Sequence, residues 1–452
     1  MLNVIILAAG KGTRMHSDIP KVLHALAGKP MLQHVMDTAL QLDASNFCVV
    51  YGHGGEAVPQ AMGQYQANFV LQEPQLGTGH AVQQAAPKLQ DGTMSLVLYG
   101  DVPLIQPATL KKLLQHRDHL NLLTLHMDNP TGYGRIIRDA QQNVTSIVEE
   151  KDASAEQKSV REVNTGILSA PTHLLKKWLA NLKNNNAQGE YYLTDIVAMA
   201  VSEGIKVSTS QPDHGWEVMG VNSKVQLAEL ERIWQGEQAL RIMQQGVTLA
   251  DPARIDIRGK LVCGRDVEID VGCIFDGEVH LGNRVKVGAY SVIKSSKIEA
   301  GTHIAPFSHI ESSEVGSDNR IGPFSRLRPG AKLHAEVHIG NFVEVKNSEI
   351  AAGSKANHLS YVGDSSVGSK VNIGAGTITA NYDGVNKHRT EIGDGASIGS
   401  NCVLVAPVTI GKEATIGAGS VITVQAPAGE LTVARNKPVT IPGWKRPVKQ
   451  HK

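Results

Sequence analysis

The sequence lacks a large charge of one sign, paired cysteines and any long apolar run. The net charge is +1 over 452 residues, too small to indicate nucleic acid or a membrane surface as a partner. The 4 cysteines show no Cys-x-x-Cys spacing, which zinc and thiol redox sites commonly need. No run approaches the roughly 18 apolar residues of a membrane span, and the first residues show no secretory signal. We therefore expect a soluble, cytoplasmic protein with reduced thiols and no membrane insertion.

Aromatic residues are also scarce, at 4% of the chain, whereas glycine occurs 45 times. This combination suits a structure with many tight turns and thin layers of side chains. A length of 452 residues indicates about two or three domains. Apolar residues make up 41% of the sequence, which is enough for well-packed cores.

Up to about residue 245, short apolar runs alternate with amphipathic stretches. Met31–Leu42 and Gly79–Leu89 have the apolar spacing of helices, and a last helix is predicted over Ser223–Gln244, ending at Gly246. Alternating strands and helices predict βαβ units, with a mainly parallel sheet covered by helices on both faces. The predicted strands are Val4–Leu7, Phe47–Tyr51, Asn68–Leu71, Leu96–Tyr99 and Leu122–Leu125.

After Gly246 the pattern changes, and an aliphatic residue followed by glycine recurs at multiples of six residues. A six-residue period predicts a β-helix of hexapeptide repeats, with the aliphatic residue inside and the small residue at a corner. The phase slips near 294–316 and 340–363, and extra polar residues intervene at 381–389. Because insertions in a solenoid form loops on one face, we expect functional residues at these places. Clear examples of the pairs are Leu281-Gly282, Val287-Gly288, Val315-Gly316, Ile321-Gly322, Ile339-Gly340, Val367-Gly368, Ile373-Gly374, Ile392-Gly393, Ile398-Gly399, Ile410-Gly411 and Ile416-Gly417.

The first predicted strand runs into a glycine-rich loop, Leu7-Ala-Ala-Gly-Lys-Gly-Thr-Arg-Met15. A glycine-rich turn after a strand exposes backbone N–H groups that can bind phosphate oxygens. The loop is not a Walker loop, since no Gly-Lys-Ser/Thr follows, and Met15 stands at the third glycine of the dinucleotide fingerprint. Two cations, Arg14 and Lys21, make nucleotidyl transfer the favoured chemistry, because that reaction needs positive charge around the phosphates.

The loop and the Pro-Lys pair that follows it resemble the signature of sugar-phosphate nucleotidyltransferases. With the repeats, the resemblance covers the whole chain and extends to the GlmU family of bifunctional bacterial enzymes. It implies an α/β fold, with an N-terminal Rossmann-like nucleotidyltransferase domain (1–224), a helical linker (225–245) and a C-terminal left-handed parallel β-helix (246–452). Other motifs that carry it are Gln75-Leu-Gly-Thr-Gly-His80, Tyr99-Gly-Asp101, Gly132-Tyr-Gly-Arg135, Val163-Asn-Thr-Gly166 and Asn184–Thr194.

The resemblance implies two reactions of UDP-N-acetylglucosamine synthesis. The β-helix would acetylate glucosamine 1-phosphate from acetyl-CoA, and the N-terminal domain would then transfer UMP from UTP to the product and release pyrophosphate. Mg²⁺ is the implied metal cofactor. The implied assembly is a homotrimer of side-by-side β-helices, with acetyl-transfer sites between subunits. The basic segment 445–452 is a solvated tail by default, with closure over coenzyme A as the alternative.

For uridylyl transfer, the resemblance gives Arg14 and Lys21 to the phosphates and makes Asp101 and Asn222 the Mg²⁺ ligands. Taken alone, Asp101 would be a turn residue before Pro103. Its place after a strand, where open α/β sheets bind ligands, agrees with the metal role, and two protein oxygens leave room for phosphates and water. The implied UTP and UDP-N-acetylglucosamine residues are Leu7, Ala8, Ala9, Gly10, Lys21, Gln72, Gly77 and Thr78, the last three at the uracil, with Gly100, Asp101 and Asn222, and with Tyr99, Gly134, Glu149 and Asn164 at the sugar.

For acetyl transfer, an amine attacking a thioester needs a base for its proton. Most of the 18 histidines are expected to be surface or core residues, but His358 lies in a phase slip, and an imidazole pKa near 6.5 suits a base. The resemblance makes His358 that base, with Glu344 as its orienting partner. The implied sugar-phosphate residues are Arg328, Lys346, Tyr361, Asn372 and Asn381. The implied acetyl-CoA residues are Ala375, Tyr382, Ser400, Ala418 and Arg435.

Three other functions stay open at this point. A nucleotidyltransferase with a purely structural β-helix would not need an organised set of polar residues in its repeats, whereas this sequence has His358, Lys346, Arg328, Asn381 and Tyr361. A non-enzymatic sensor of sugar nucleotides would be expected to lose Asp101, Lys21 or Arg14. A nucleotide-sugar glycosyltransferase would share the sheet but not the Gly-Thr-Arg-Met loop.

Overall fold

In the computed structural model the chain divides after Trp234 into two compact units, and the residues described are 2–446. Within that range no helix is both long and apolar enough to cross a membrane. The strands of the first unit are β1 Leu2–Ala8, β2 Ala25–Leu26, β3 Lys29–Pro30, β4 Asn46–Tyr51, β5 Asn68–Leu71, β6 Met94–Tyr99, β7 Leu120–His126, β8 Arg135–Arg138, β9 Val144–Val148, β10 Glu162–Pro171 and β11 Val207–Ser210. The helices are α1 Met31–Leu40, α2 Ala57–Ala61, α3 Thr78–Ala85, α4 Pro107–Leu113, α5 Ala155–Lys158, α6 Thr172–Ala180, α7 Asp195–Ser202 and α8 Lys224–Gln244.

The first unit is built on a 9-stranded sheet with the order β11-β7-β10-β6-β1-β4-β5 and with β8 and β9 attached beside β10. β1 pairs in parallel with β4 and β6, and β7 pairs in parallel with β11. β10 is antiparallel to both of its neighbours, β6 and β7. The sheet is therefore more mixed than expected, because β7 and β10 are joined through the hairpin β8–β9 rather than through the helical crossover that a parallel pair requires.

β1 is a buried apolar strand at the centre of the sheet, and its side chains alternate between two cores. Val4 and Ile6 pack with α1 and α4, whereas Ile5 and Leu7 pack with α3, α6 and α7. Alternation of this kind follows from the two-residue repeat of a strand. The prediction of helices on both faces is thus confirmed.

The predicted elements of the first unit are found within a few residues of their expected ends. The helix expected over Gly79–Leu89 is divided into α3 and the 3-10 turn Ala86–Lys88. Pro87 explains the break, because proline has no N–H to donate to the preceding turn. Helix α8 begins one residue after the predicted Ser223.

The second unit is a solenoid whose coils consist of short strands. Within each coil the strands run in three successive directions, with a corner between one strand and the next. Each strand pairs in parallel with its equivalent one coil further on, in one 11-stranded and one 17-stranded sheet, which confirms the β-helix. The strands are β12 Thr248–Leu249, β13 Ile255–Cys263, β14 Glu268–Ile269, β15 Cys273–Leu281, β16 Lys286–Val287, β17 Val292–Lys294, β18 Lys297–Ile298, β19 His303–Ile304, β20 His309–Glu311, β21 Glu314–Val315, β22 Arg320–Ile321, β23 Arg326–Leu327, β24 Lys332–Leu333, β25 His338–Asn341, β26 Glu344–Lys346, β27 Glu349–Ile350, β28 Lys355–His358, β29 Tyr361–Gly363, β30 Ser365–Val367, β31 Asn372–Ile373, β32 Ile378–Ala380, β33 Thr390–Ile392, β34 Ser397–Ile398, β35 Val403–Val405, β36 Val408–Ile410, β37 Thr415–Ile416, β38 Val421–Ile422 and β39 Leu431–Thr432.

The recurring aliphatic–glycine pairs have a direct packing explanation. The aliphatic member, such as Ile339, is fully buried inside the coil. The glycine that follows touches the backbone of the next coil, and a Cβ on Gly340 would lie only 1.9 Å from the carbonyl oxygen of Asn357. Glycine at this corner therefore allows successive coils to stack at strand spacing.

The phase slips near 294–316 and 340–363 are shortened coils, so the expectation of inserted loops there is wrong. Stacked positions lie 18 residues apart at Arg265 and Asn283 but 17 apart at Ser296 and Ser313. The residue is lost at a corner of the coil. In the longer coil β15 continues through this corner at Gly277, whereas in the next coil only two residues join β17 to β18. The segment 381–389 is a true insertion, since stacked positions across it lie 25 residues apart.

Candidate active sites

A cavity of about 420 Å³ opens at the carboxyl ends of β1 and β6. This edge of an α/β sheet is where ligands usually bind. The cavity brings together most of the residues expected to bind the nucleotide. It is lined by Leu7, Ala8, Ala9, Gly10, Lys11, Lys21, Val22, Gln72, Gln75, Gly77, Thr78, Ala81, Tyr99, Asp101 and Glu190.

A second cavity, of about 590 Å³, lies at the opposite end of the strands, beside the beginnings of β4 and β5. Its walls are mainly apolar and amide side chains, such as Leu40, Asn46 and Asn68. It presents no lysine, arginine or carboxylate among its lining residues. The smaller cavity is therefore the better candidate for phosphate chemistry.

Lys21, Asp101 and Asn222 meet at one point of the nucleotide cavity. The Lys21 ammonium donates to Asp101 Oδ2 and, at 3.0 Å, to Asn222 Oδ1. Gly12 permits this approach, because it has a φ of 61° and a Cβ there would lie 2.8 Å from Lys21 Cβ. Within residues 2–446 no cluster of three or more His, Cys, Asp or Glu side chains is arranged for a metal. The two oxygens nevertheless converge on a cation, a donor set that suits Mg²⁺ completed by phosphates and water.

The residues expected at the sugar lie close to one another beside Tyr99. The Asn164 N–H donates to the Gly134 carbonyl at 2.9 Å, and a Cβ on Gly134 would lie 3.3 Å from a Glu149 carboxylate oxygen. Burial raises the pKa of Glu149 above that of an ordinary glutamate. Desolvation also raises the pKa of Tyr99, and the carboxylates of Glu149 and Asp101 act in the same direction. The Tyr99 hydroxyl therefore stays protonated and is able to donate to a ligand.

Two expected residues take other positions. Arg14 is exposed on the 3-10 turn Thr13–Met15 and is not part of the cavity wall. Gly100 lies behind the wall, where its N–H donates to the Leu7 carbonyl at 2.9 Å and ties β6 to β1. Gln75 and Glu190 line the cavity although the sequence did not single out either side chain.

In the second unit, His358 is oriented by Asn341. His358 Nδ1 lies 2.8 Å from Asn341 Oδ1, and the two residues are paired across β25 and β28. With the amide oxygen as acceptor, Nδ1 carries the proton of the neutral ring and Nε2 is left as the basic nitrogen. The expected partner, Glu344, instead accepts from Arg328 Nη1 at 2.8 Å. The difference arises because Asn341 occupies the position directly below His358 in the preceding coil, one that the sequence pattern did not single out.

Asp364 joins the residues expected to bind the sugar phosphate. Its carboxylate accepts from Asn347 Nδ2 at 2.5 Å and from Asn381 Nδ2, and it lies 3.7 Å from the Lys346 ammonium. Asn381 also donates to the Tyr361 hydroxyl at 3.5 Å. Burial by itself would raise the pKa of Asp364, but these hydrogen bonds and the lysine charge hold that pKa below its ordinary value. No role for Asp364 was predicted from the sequence, although its carboxylate contacts two of the expected residues, Lys346 and Asn381.

The small residues expected along the acetyl-CoA path form one column with His358. Ala375, Ser400 and Ala418 occupy the same corner of successive coils, where the Ala375 carbonyl accepts from the Asn401 N–H and the Ser400 carbonyl accepts from the Gly419 N–H. Arg435 Nη1 closes the column by donating to the Ala418 carbonyl at 2.7 Å. The column is a continuous corner on which an extended ligand can reach His358.

The last two expected residues lie beside these clusters. Asn372 faces outward from β31 and pairs with Lys355 of β28. Tyr382 is exposed on the inserted loop and donates its hydroxyl proton to the Gly384 carbonyl at 2.5 Å. The loop is held by Asp383, which accepts two backbone N–H groups and the His388 ring.

Known families match each unit. Residues 4–162 match the model of the MobA-like NTP transferase domain, and residues 389–423 match the model of the bacterial transferase hexapeptide, with six repeats. The chain thus combines a nucleotidyltransferase fold with a hexapeptide-repeat transferase β-helix, a class that agrees with the cavity in the first unit and the histidine column in the second.

Whole-chain similarity makes the assignment more specific. The chain is 60% identical over 450 residues to the bifunctional protein GlmU of Herminiimonas arsenicoxydans, which covers 99% of each chain. It is 61% identical over 451 residues to the bifunctional protein GlmU of Azoarcus sp. (strain BH72), covering 99% of this chain and 100% of that one. The bifunctional protein GlmU of Ralstonia nicotianae is 59% identical over 453 residues, with 100% of both chains covered. The chain belongs to the GlmU family.

Proposed function

We propose that this protein is a bifunctional enzyme of UDP-N-acetylglucosamine biosynthesis. The second unit acetylates glucosamine 1-phosphate from acetyl-CoA, and the first unit transfers UMP from UTP to the N-acetylglucosamine 1-phosphate formed. The observation that carries the proposal is that one chain contains a set of phosphate-binding groups around Lys21 and a separate histidine base with cations around it. Membership of a family of bifunctional proteins supports it.

In uridylyl transfer, a phosphate oxygen of N-acetylglucosamine 1-phosphate attacks the α-phosphorus of UTP. The bond to pyrophosphate breaks as the new P–O bond forms, so no covalent enzyme intermediate is needed. Lys21, together with Arg14, stabilises the charge on the phosphates. Asp101 and Asn222 are the residues that would hold Mg²⁺, which when bound neutralises phosphate charge.

In acetyl transfer, the amine of glucosamine 1-phosphate attacks the thioester carbonyl of acetyl-CoA. His358 Nε2 accepts the amine proton, and the C–S bond breaks to release coenzyme A as the thiol once it takes up a proton. Asn341 keeps Nε2 free for this role by accepting the Nδ1 proton. Arg328 and Lys346 bind the sugar phosphate.

The remaining proposals concern assembly and extent. We assign uridylyl transfer to residues 1–224, the helical linker to 225–245 and acetyl transfer to 246–452, in a cytoplasmic homotrimer. Light scattering coupled to size-exclusion chromatography tests the assembly, and a monomeric mass at micromolar concentration would contradict it.

Product analysis tests the proposed function directly. The protein is mixed with glucosamine 1-phosphate, acetyl-CoA, UTP and Mg²⁺, and the expected products are UDP-N-acetylglucosamine, free coenzyme A and pyrophosphate. Uridylylation of supplied N-acetylglucosamine 1-phosphate without any acetylation would instead favour a monofunctional nucleotidyltransferase with a structural β-helix.

A further inference from the structure

A chain of hydrogen bonds lies behind the uracil end of the nucleotide cavity. Gln72 Nε2 lies 3.0 Å from the Gly77 carbonyl oxygen and 3.2 Å from His80 Nδ1. On the other side of the ring, His80 Nε2 lies 3.0 Å from Gln84 Nε2. Gln72 is 3% exposed, so its amide has little opportunity to exchange partners with water. His80 itself does not line the cavity.

The chemistry of these groups fixes the direction of every bond in the chain. A carbonyl oxygen only accepts, so the Gln72 group that faces Gly77 must be the NH₂. The second proton of that NH₂ points to His80 Nδ1, which must therefore be the unprotonated ring nitrogen. His80 Nε2 then carries the ring proton, which Gln84 accepts only with its amide turned so that Oε1 rather than Nε2 faces the ring. Burial lowers the pKa of His80, which agrees with a neutral ring.

The Gln72 amide oxygen is the atom left for a ligand. Within residues 2–446 the Gln72 side chain makes its hydrogen bonds through Nε2 and none through Oε1, and Gln72 lines the cavity. Uracil presents an N3–H donor at its recognition edge, whereas cytosine presents an unprotonated N3 that can only accept. A fixed Oε1 therefore favours uracil, and an amide turned the other way would favour cytosine.

We propose that His80 is a positioning residue that holds the Gln72 amide with its oxygen toward the base and thereby sets the preference for UTP over CTP. The inference rests on the proposed function, in which the uracil lies at Gln72 and Gly77. A purely structural role for His80, as packing beside Tyr191 at a ring-centroid distance of 6.3 Å, would not alter the choice between the two bases.

The test compares kcat/KM for UTP and CTP, with N-acetylglucosamine 1-phosphate and Mg²⁺, in the full-length protein and three variants. We expect His80→Leu to lower the UTP-to-CTP ratio by about 10-fold, the value of one directed hydrogen bond, mostly through a higher KM for UTP. His80→Asn should restore most of the ratio, because its amide oxygen can accept from Gln72 where Nδ1 did. Gln84→Leu, which removes the partner of Nε2 but keeps the ring, should lower the ratio less.

The outcomes separate this inference from the function on which it rests. If His80→Leu leaves the ratio within 2-fold, or lowers both kcat/KM values equally, His80 has no positioning role. Should His80→Leu not fold, the calorimetric affinities of UTP and CTP for His80→Asn and Gln84→Leu provide the same comparison. A wild-type protein that transfers no UMP at all would refute the proposed function itself.

Discussion

The Asn341 amide accepts the Nδ1 proton of His358 and leaves Nε2 as the basic nitrogen, so the proposed acetyl transfer would depend on this pair of side chains. We expect His358→Ala to lower acetyl transfer by roughly 10²–10⁴-fold, the usual contribution of a general base, and to leave uridylyl transfer unchanged. The measurement is release of free coenzyme A and of pyrophosphate from one preparation. Asn341→Leu serves as the companion variant and should cause a smaller loss, because the ring remains but its tautomer is no longer fixed.

Substitution of Asp101 is expected to have the opposite effect on the two activities. Asp101 and Asn222 both accept from the Lys21 ammonium. Of these two acceptors the Asp101 carboxylate carries the negative charge, because the Asn222 amide is neutral. We expect Asp101→Ala to lower uridylyl transfer by about 10²-fold or more and to leave acetyl transfer intact, in the same two assays. Loss of both activities in a folded Asp101→Ala protein would mean that the two reactions do not have separate sites.

The lowered pKa of Asp364 predicts that the stability of the protein depends on pH. Its pKa is lowered in the folded protein, so its contribution to the free energy of unfolding is fully present above the ordinary value of 3.8 and is lost as the pH falls through the lowered folded pKa. We therefore expect the free energy of unfolding to fall more steeply below about pH 4 in the wild type than in Asp364→Asn. Urea titrations of both proteins between about pH 5 and pH 2 measure this difference, and parallel curves would contradict it.

At the scale of one structural element, a row of aromatic rings follows one corner of the β-helix. Tyr290, Phe307, Phe324 and Phe342 stack with centroid separations of 5.5, 5.1 and 5.4 Å. All of them adopt positive φ, 56° at Phe324, which is unfavourable for a large side chain. Stacking therefore offsets backbone strain in each coil.

The balance between ring stacking and backbone strain predicts different stabilities for two substitutions of Phe324. Phe324→Ala keeps the strained backbone and loses the rings on both sides, so we expect it to destabilise the protein by about 1–3 kcal/mol. Phe324→Gly loses the same contacts but relieves the strain, so it should be more stable than Phe324→Ala by about 1 kcal/mol. Urea unfolding at one protein concentration measures both. An alanine variant as stable as the glycine variant would show that the corner carries no strain.

The same elements show which parts of the fold can be read from sequence. The β-helix was predictable because each repeat places an aliphatic residue inside and a glycine against the next backbone. The aromatic residues at the corners were not, because positive φ normally selects glycine or asparagine. Strands β8, β9 and β11 were missed because they are short and lack the apolar runs of β1 and β6, and β10 was missed because Asn164 and Thr165 interrupt its apolar pattern.

The site residues likewise fall into those that were predicted from the sequence and those that were not. The glycine-rich turn and Lys21 were identified from the sequence because they lie close together along the chain, whereas the metal role of Asp101 came from the family resemblance. Asn341 and Asp364 act through contacts between coils, and their partners His358 and Asn381 lie 17 residues further on. That spacing becomes meaningful only when the length of the shortened coil is known, and the six-residue period alone does not give it.

At the scale of the whole molecule, two reactions on one chain raise the question of how the intermediate passes between them. The candidate residues of each reaction are confined to one unit, and the simplest expectation is that N-acetylglucosamine 1-phosphate diffuses freely. A mixture of the full-length variants His358→Ala and Asp101→Ala, each with one activity, should then produce UDP-N-acetylglucosamine from glucosamine 1-phosphate, acetyl-CoA and UTP. After a lag in which the intermediate accumulates, the rate should reach about half that of the wild type at equal total protein, because half of the molecules carry each reaction. Each variant alone serves as the control. A mixture that performs both half-reactions on supplied substrates but makes no UDP-N-acetylglucosamine would show that the intermediate has to stay within one molecule.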